Sequence, residues 1–206
     1  MASKTRAPSS RGSPAASAPQ KKKSKAADRA AAPEPEEGAT AAGSSSPPTL
    51  HPLLARLVGT WEATNTMFQD GKPGMAGQGK AVVERALGGR VVRMTYAQDI
   101  PGLGAFEGEA LFGYSEADET FQGTWVDSAS SSVFCYRGGA GEGGKSIQLD
   151  SYAPFTDERT KTKKTTQSTY TFKSENEVHF EMFNKAGRAA PVKAMDIVYR
   201  RARASD

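Results

Sequence analysis

Ten short segments that alternate apolar with polar side chains follow one another along residues 60–202, separated by clusters of turn-forming residues. A period of two is typical of strands with one buried face, and such short links join antiparallel neighbours. Only residues 51–58 carry helical apolar spacing, enough for about two turns. The predicted strands cover residues 60–68, 77–86, 90–98, 106–114, 120–127, 132–138, 145–152, 162–173, 177–185 and 192–202.

A meander of this length either keeps two open edges or closes on itself, and closure removes both edges. We therefore predict an all-β fold, a closed antiparallel meander barrel of about ten strands with a short N-terminal helix across one mouth. Strands 60–68 and 192–202 would then be neighbours. Because eight strands leave about enough interior for side chains or one small ligand, ten should enclose more space.

The first 48 residues differ sharply in composition from the rest. They contain no Phe, Trp, Tyr, Leu, Ile or Val, so they lack the apolar surface that offsets the entropy cost of folding. We predict a disordered tail, rich in Ala, Pro, Ser and Lys, at residues 1–48 and the barrel domain at residues 49–206. The tail carries 8 Lys or Arg against 4 Asp or Glu, and the domain carries 19 against 19, so the formal net charge of +4 belongs to the tail.

The charge of the tail has two interpretations. A lysine cluster at residues 21–25 either keeps the protein in solution or makes weak electrostatic contact with anionic polymers. No apolar run reaches the length of a signal peptide or of a transmembrane segment, which predicts a cytoplasmic protein. The pattern carries no information on the oligomeric state.

The interior of the predicted barrel can be assigned from alternation along each strand, although a shift of one residue reverses a strand's two faces. The inward set is aromatic and methionine-rich, which suits a flat or aliphatic molecule and would equally form an ordinary packed core. The candidates for the lumen wall are Met94, Tyr96, Trp125, Phe134, Tyr136, Tyr170, Phe180, Met182, Met195 and Tyr199.

Charged residues also lie within the predicted strands. We expect most of them on the wet outer face of the barrel; they are Arg93, Glu107, Glu109, Asp127, Arg137 and Asp150. An inward Arg93 or Arg137 would instead need a paired anion and would anchor the carboxylate of a fatty-acid-like ligand.

The first predicted strand opens with Gly59, one residue, and Trp61, and the last strand ends with Arg200 and Arg201. This arrangement resembles the signature of lipocalins and of the wider calycin superfamily. The resemblance implies that Gly59 permits a close approach, that Trp61 closes the barrel floor, and that Arg201, or alternatively Arg200, stacks on Trp61. A guanidinium over an indole ring is a favourable contact.

A second resemblance covers nearly the whole domain. Several motifs in order resemble the bacterial family called domain of unknown function 1579, which is similar to calycin barrels and has no established function. The matching motifs are "LVGTW" at 57–61, Leu87-Gly88-Gly89-Arg90, Gly113-Tyr114-Ser115, Trp125-x-Asp127 and Tyr199-x-Arg201. Ser115 departs from the family's Asp at this position, which we expect to affect a turn.

These patterns predict a binding protein whose lumen takes a small apolar or amphipathic ligand, without a catalytic residue and without a cofactor. One cysteine and two histidines exclude an internal disulfide and a three-histidine metal site. Two alternatives stay open. One is an enzyme of unknown reaction that uses a lumen Tyr, Asp or His as acid or base. The other is a haem-binding barrel similar to nitrobindin with His179 as the ligand, although His179 also fits a solvent-facing position on its strand.

Overall fold

A computed structural model of the chain describes residues 49–100, 102, 104–157 and 160–203. The predicted tail at residues 1–48 lies outside the described residues. The described chain contains one α-helix and eleven strands, with short 3-10 turns at Leu87–Gly89 and Glu142–Gly144. The elements are α1 (Pro52–Leu57), β1 (Gly59–Gln69), β2 (Lys72–Ala86), β3 (Val91–Ile100), β4 (Gly104–Ser115), β5 (Thr120–Asp127), β6 (Ser130–Ala140), β7 (Ser146–Ser151), β8 (Phe155–Thr156), β9 (Lys163–Phe172), β10 (Glu177–Ala186) and β11 (Val192–Arg201).

The strands form one closed antiparallel ring. Each strand from β1 to β7 pairs with the next, β7 pairs with β9, β9 with β10, β10 with β11, and β11 with β1. The two-residue β8 pairs with β9 and stands outside the ring. The prediction of a closed meander barrel of about ten strands is therefore confirmed, with β8 as a short addition that the sequence pattern did not indicate.

Closure depends on the pairing of the first and last strands. Trp61 lies opposite Arg201, and the ladder continues in register as far as Met67 opposite Met195. These strands are more than a hundred residues apart along the chain, so the closing contacts carry a large loop-closure entropy that local propensity alone does not offset. Side-chain contacts at this seam must therefore supply the free energy that offsets this entropy cost.

Helix α1 covers one end of the ring. Pro52 occupies its first turn, where a missing N–H costs nothing, and the side chain of His51 accepts a hydrogen bond from the Leu53 amide at 3.2 Å. Its three buried leucines, Leu53, Leu54 and Leu57, join the core around Trp61. Burying each leucine stabilises the fold by roughly 1.5–3 kcal/mol. This helix therefore closes one mouth, as the sequence indicated.

Trp61 and Arg201 join the seam to the helix. The Trp61 side chain is 2% exposed and its indole N–H donates to the Leu57 carbonyl at 2.7 Å. The Arg201 guanidinium carbon lies 4.2 Å from the Trp61 ring centroid, which is a cation–π contact. Gly59 has φ +138°, and a Cβ there would lie 2.2 Å from Arg201 Nη1. A glycine is therefore needed at the position where the arginine crosses β1.

Candidate functional site

The barrel encloses a cavity of about 460 Å³. It runs from the middle of the barrel to the end opposite α1, where Met67 and Met75 are 42% and 43% exposed. The wall is formed by Asn65, Met67, Met75, Tyr96, Gln98, Ile100, Phe106, Phe112, Trp125, Asp127, Phe134, Tyr136, Leu149, Phe155, Thr166, Ser168, Tyr170, Phe180, Met182, Asn184, Met195, Ile197 and Tyr199. Most of these side chains are aromatic, aliphatic or thioether, so the lumen is predominantly apolar.

Nine of the ten lumen candidates from the sequence lie on this wall. Met94 is the exception. Its side chain is buried in the core among residues that pack near the α1 end, opposite Val83 and Ala110 on the neighbouring strands. Alternation places Met94 on the inner face correctly, but its position along β3 puts it in the packed end of the barrel and away from the open cavity.

Methionines form one side of the open mouth. Met67 on β1 and Met182 on β10 are both cross-strand partners of Met195 on β11, and all three line the cavity together with Met75. Cross-strand partners on one face have Cβ atoms about 5 Å apart, so these thioethers make a continuous surface. Unbranched, polarizable side chains can adjust to ligands of varied shape.

A small polar network lies on the wall between β1 and β3. The Tyr96 hydroxyl donates to Gln98 Oε1 at 2.7 Å, and Asn65 Nδ2 donates to the same oxygen at 3.1 Å. Asn65 is 6% exposed, and its Oδ1 has no hydrogen-bond partner among the described residues. Gly77 makes room for this network, because a Cβ there would lie 2.0 Å from Gln98 Nε2.

A second polar group lies across the lumen on β9 and β10. The Thr166 hydroxyl donates to Asn184 Oδ1 at 3.0 Å, and the Ser168 hydroxyl donates to the Leu149 carbonyl at 3.2 Å. Both hydroxyl residues are buried. The lumen therefore offers a few oriented, uncharged polar groups within apolar walls, which is the usual composition of a small-molecule pocket.

Four tyrosines face the lumen, and burial raises the pKa of each. The pKa of Tyr136 rises to about 12 through burial, with nearby Asp127 adding to the effect. Burial likewise raises the pKa of Tyr96, Tyr170 and Tyr199. All four hydroxyls are therefore neutral at neutral pH, so they can donate hydrogen bonds but are not poised as bases.

Alkaline titration tests the burial of these four tyrosines. We expect the native protein at about pH 11 to keep the hydroxyls of Tyr136, Tyr170 and Tyr199 protonated, so the tyrosinate absorbance stays well below that of the unfolded chain. Because burial raises the pKa values of these hydroxyls in the folded state, keeping them protonated contributes to the stability of the fold. This contribution is fully present below the ordinary tyrosine pKa of about 10 and is lost as the pH rises through the raised pKa values. Equal tyrosinate absorbance in the native and denatured protein at that pH would contradict the buried positions.

Asp127 is the charged side chain of the cavity wall. Its Oδ2 accepts from the Trp125 indole N–H at 2.8 Å and its Oδ1 accepts from the Ala129 amide at 3.0 Å. We expected Asp127 on the outer face, and this expectation is wrong, since Trp125 and Asp127 stand two residues apart on β5 and share the inner face.

The other charged residues considered above lie outside the lumen wall. Arg93 pairs with Glu109 at 3.2 Å and Arg137 pairs with Asp118 at 3.5 Å, with each of these side chains about half exposed. Neither arginine lines the cavity. The alternative of an inward arginine that anchors a ligand carboxylate is therefore wrong.

His179 also stands outside the cavity wall. It alternates with Val178 and Phe180 on β10, and its Nε2 lies 2.8 Å from Glu177 Oε1. The imidazole thus contacts a carboxylate on the outer side of the barrel, where it does not reach a ligand in the lumen. Within the part of the chain that the structure describes, no three His, Cys, Asp or Glu side chains come together as a metal site.

None of the described helices has the length and hydropathy needed to cross a membrane. Cys135 is an exposed free thiol on β6.

Comparison with known proteins identifies a family whose model matches this chain and solved structures with a similar fold. The model of the family described as "Protein of unknown function (DUF1579)" matches residues 46–201. No curated protein matches the chain.

Two solved structures show the same fold at low identity. Rv2717c from M. tuberculosis is similar at 13% identity with a TM-score of 0.56, over 75% of this chain and 99% of that one. The S-type phycobiliprotein lyase CPES from Guillardia theta is similar at 11% identity with a TM-score of 0.51, over 74% of this chain and 92% of that one. At such identities the likeness extends to the barrel alone.

Proposed function

This chain belongs to the DUF1579 family of proteins of unknown function, and we propose that its barrel binds a small apolar or amphipathic molecule in the lumen. The observation that carries the proposal is the cavity of about 460 Å³, apolar over most of its wall and open at the end opposite α1. Ligand pockets typically measure about 300–1,000 Å³ and combine apolar walls with a few polar groups.

A structural role alone accounts poorly for this space. Protein interiors are close-packed, and voids larger than a water molecule are few because their walls lose dispersion contacts. The α1 end of this barrel follows that rule, with Leu54, Trp61 and Phe121 among its fully buried side chains. The other end keeps an open cavity although the same chain could fill it with larger residues at Thr166 and Ser168.

The polar groups of the wall favour binding over acid–base chemistry. The four lumen tyrosines have pKa values raised by burial, whereas a general base works best with a pKa near the operating pH. His179, the histidine of the enzyme and haem alternatives, lies on the outer side of β10. Asp127, the Asp of the wall, already accepts hydrogen bonds on both oxygens, from the Trp125 indole and the Ala129 amide. The wall thus supplies hydrogen bonds that orient a ligand.

Blocking the lumen tests the proposal. Ser168→Phe places an aromatic ring inside the cavity, and we expect it to weaken binding of the neutral fluorophore N-phenyl-1-naphthylamine at least about tenfold through steric overlap. Gln167→Phe is the matched control, because the neighbouring residue on β9 is exposed on the outer face. It should bind the fluorophore as the unmodified protein does.

Fluorophore titration and native mass spectrometry are the measurements, with thermal melting to establish that both variants fold. Gentle purification followed by native mass spectrometry should reveal a co-purified small molecule in the unmodified protein and its loss in Ser168→Phe. Equal fluorophore affinities in the two variants, or no binding by the unmodified protein, would overturn the proposal.

A further inference from the structure

We propose that Asp127 and the aromatic side chains around it form a head-group subsite for an ammonium group, so that the preferred ligand is a cationic amphiphile. The proposal rests on the proposed function and names its ligand class. The apolar chain of the ligand would occupy the lumen, and its positive head would stay near the mouth, at the end of β5.

The position of Asp127 is the first step. Among the described residues that line the cavity, Asp127 is the sole residue with a formally charged side chain. It is the last residue of β5, two residues beyond Trp125 toward the mouth. A ligand that enters from the open end therefore meets this carboxylate while its far end is in the apolar lumen.

The carboxylate is held in a fixed orientation. Its two oxygens accept separate hydrogen bonds, from the Trp125 indole N–H at 2.8 Å and from the Ala129 amide at 3.0 Å. Each carboxylate oxygen has more than one lone pair, so both remain available to a ligand cation. A pre-oriented acceptor costs little further ordering when the ligand binds.

The protein supplies no counterion for this charge. Within the described part of the chain, no Lys, Arg or His nitrogen lies within 4.0 Å of the Asp127 oxygens, whereas the exposed carboxylates of Glu109 and Asp118 are both paired with arginines. Asp127 is half-buried at the mouth, and a carboxylate beside an apolar wall attracts a cation more strongly than one surrounded by water, because screening is weaker there. A cationic ligand group would provide the missing partner.

Aromatic side chains line the cavity beside Asp127. Trp125 lies directly across from Phe134 on β6, and Phe134 contacts the Phe155 ring at a centroid distance of 5.6 Å. The charge of Asp127 also acts on the Tyr136 hydroxyl. Ammonium groups are attracted to the faces of Trp, Tyr and Phe, and such aromatic surroundings are a recurrent way to bind quaternary amines.

The same arrangement disfavours anionic ligands. A fatty-acid carboxylate at this mouth would meet Asp127 with like charge, and the described cavity wall contains no Lys or Arg to offset the repulsion. The order of affinities expected at equal chain length is therefore cation, then neutral molecule, then anion.

The test compares three ligands with the same ten-carbon chain, decyltrimethylammonium, 1-decanol and decanoate, each displacing N-phenyl-1-naphthylamine. We expect the folded, unmodified protein to bind the ammonium about tenfold more tightly than the alcohol. Asp127→Asn should lose this preference and keep the affinity for 1-decanol. Asp99→Asn, which removes an exposed carboxylate near the same mouth but off the cavity wall, should keep it.

Each outcome has a distinct meaning. If the alcohol and the ammonium bind equally, or if Asp127→Asn keeps the preference, the ammonium subsite is refuted while lumen binding stands. If Asp99→Asn loses the preference as Asp127→Asn does, general electrostatics explain it and the subsite is refuted. If none of the three ligands displaces the fluorophore, both the subsite and the proposed function fail.

Discussion

Trp61→Ala is expected to lower the free energy of unfolding by about 3–5 kcal/mol, the usual cost of truncating a buried aromatic residue to alanine. Trp61 is 2% exposed, so its loss leaves a cavity between α1 and the barrel. The substitution also removes the 2.7 Å hydrogen bond to the Leu57 carbonyl and the stacking of Arg201. Chemical denaturation with fluorescence or circular dichroism measures the change.

The other tryptophan provides the matched control. Trp125 lies on the cavity wall and is only partly buried, so Trp125→Ala should cost clearly less stability and should weaken ligand binding. Trp61→Phe keeps most of the apolar volume and should recover part of the loss. If Trp61→Ala destabilised the fold no more than Trp125→Ala, the closing role of Trp61 would be contradicted.

Arg201→Ala is expected to cost about 2–3 kcal/mol, because it removes several charge-assisted hydrogen bonds at once. Arg201 donates to the Val58 carbonyl at 3.0 Å and, through Nε and Nη2, to the Glu175 carbonyl at 3.1 Å. It thereby joins the end of α1, the β9–β10 turn and β1. Arg201→Lys should recover little, since an ammonium cannot match the planar fork of a guanidinium.

Arg200→Ala is the control for this prediction. Arg200 is the neighbour on β11, and its side chain forms an exposed ion pair with Glu177 at 3.2 Å. Exposed ion pairs contribute little, so its removal should change the free energy of unfolding by less than about 1 kcal/mol. Denaturant titration measures the free energy of unfolding of both variants. Similar losses of this free energy in Arg200→Ala and Arg201→Ala would contradict the assignment of Arg201 to the seam.

The barrel could be predicted from the sequence because its signals are local. Ten segments of alternating polarity, separated by turn-forming residues, predict an antiparallel meander. A closed barrel is favoured because closure removes both open edges of the sheet. The resemblance to the domain of unknown function 1579 family is confirmed by the match over residues 46–201. Strand β8 was not predicted, since two residues at Phe155–Thr156 are too short to show a period.

The polar wall was harder to predict. Asn65 and Gln98 are polar residues buried on the inner face, and their burial depends on a network that joins β1 to β3 over the intervening strand β2. One signal was nevertheless present in the sequence. The period of two that places Trp125 and Tyr96 inside also places Asp127 and Gln98 inside, although their polarity suggests the outer face.

The extent of the cavity depends on how far along its strand each inward residue lies. Alternation predicts the face of the sheet but not this position. Met94 and Tyr96 both face inward from β3, yet Met94 is packed near α1 and Tyr96 lines the cavity. Met75 lines the mouth because β2 begins at Lys72, ahead of the predicted start at residue 77, whereas Met67 lies within the predicted strand 60–68 but was not assigned to the wall. Such differences arise from tertiary packing at each end of the barrel.

Methionine-methyl NMR tests the central claim, that the lumen receives a ligand through the mouth opposite α1. Four methionines line that mouth, Met67, Met75, Met182 and Met195, whereas Met94 is buried near the closed end. On titration with decyltrimethylammonium, we expect the four mouth methyl resonances to shift in a saturable manner and that of Met94 to move far less. Unchanged mouth resonances at saturating concentration, or shifts confined to Met94, would contradict the account.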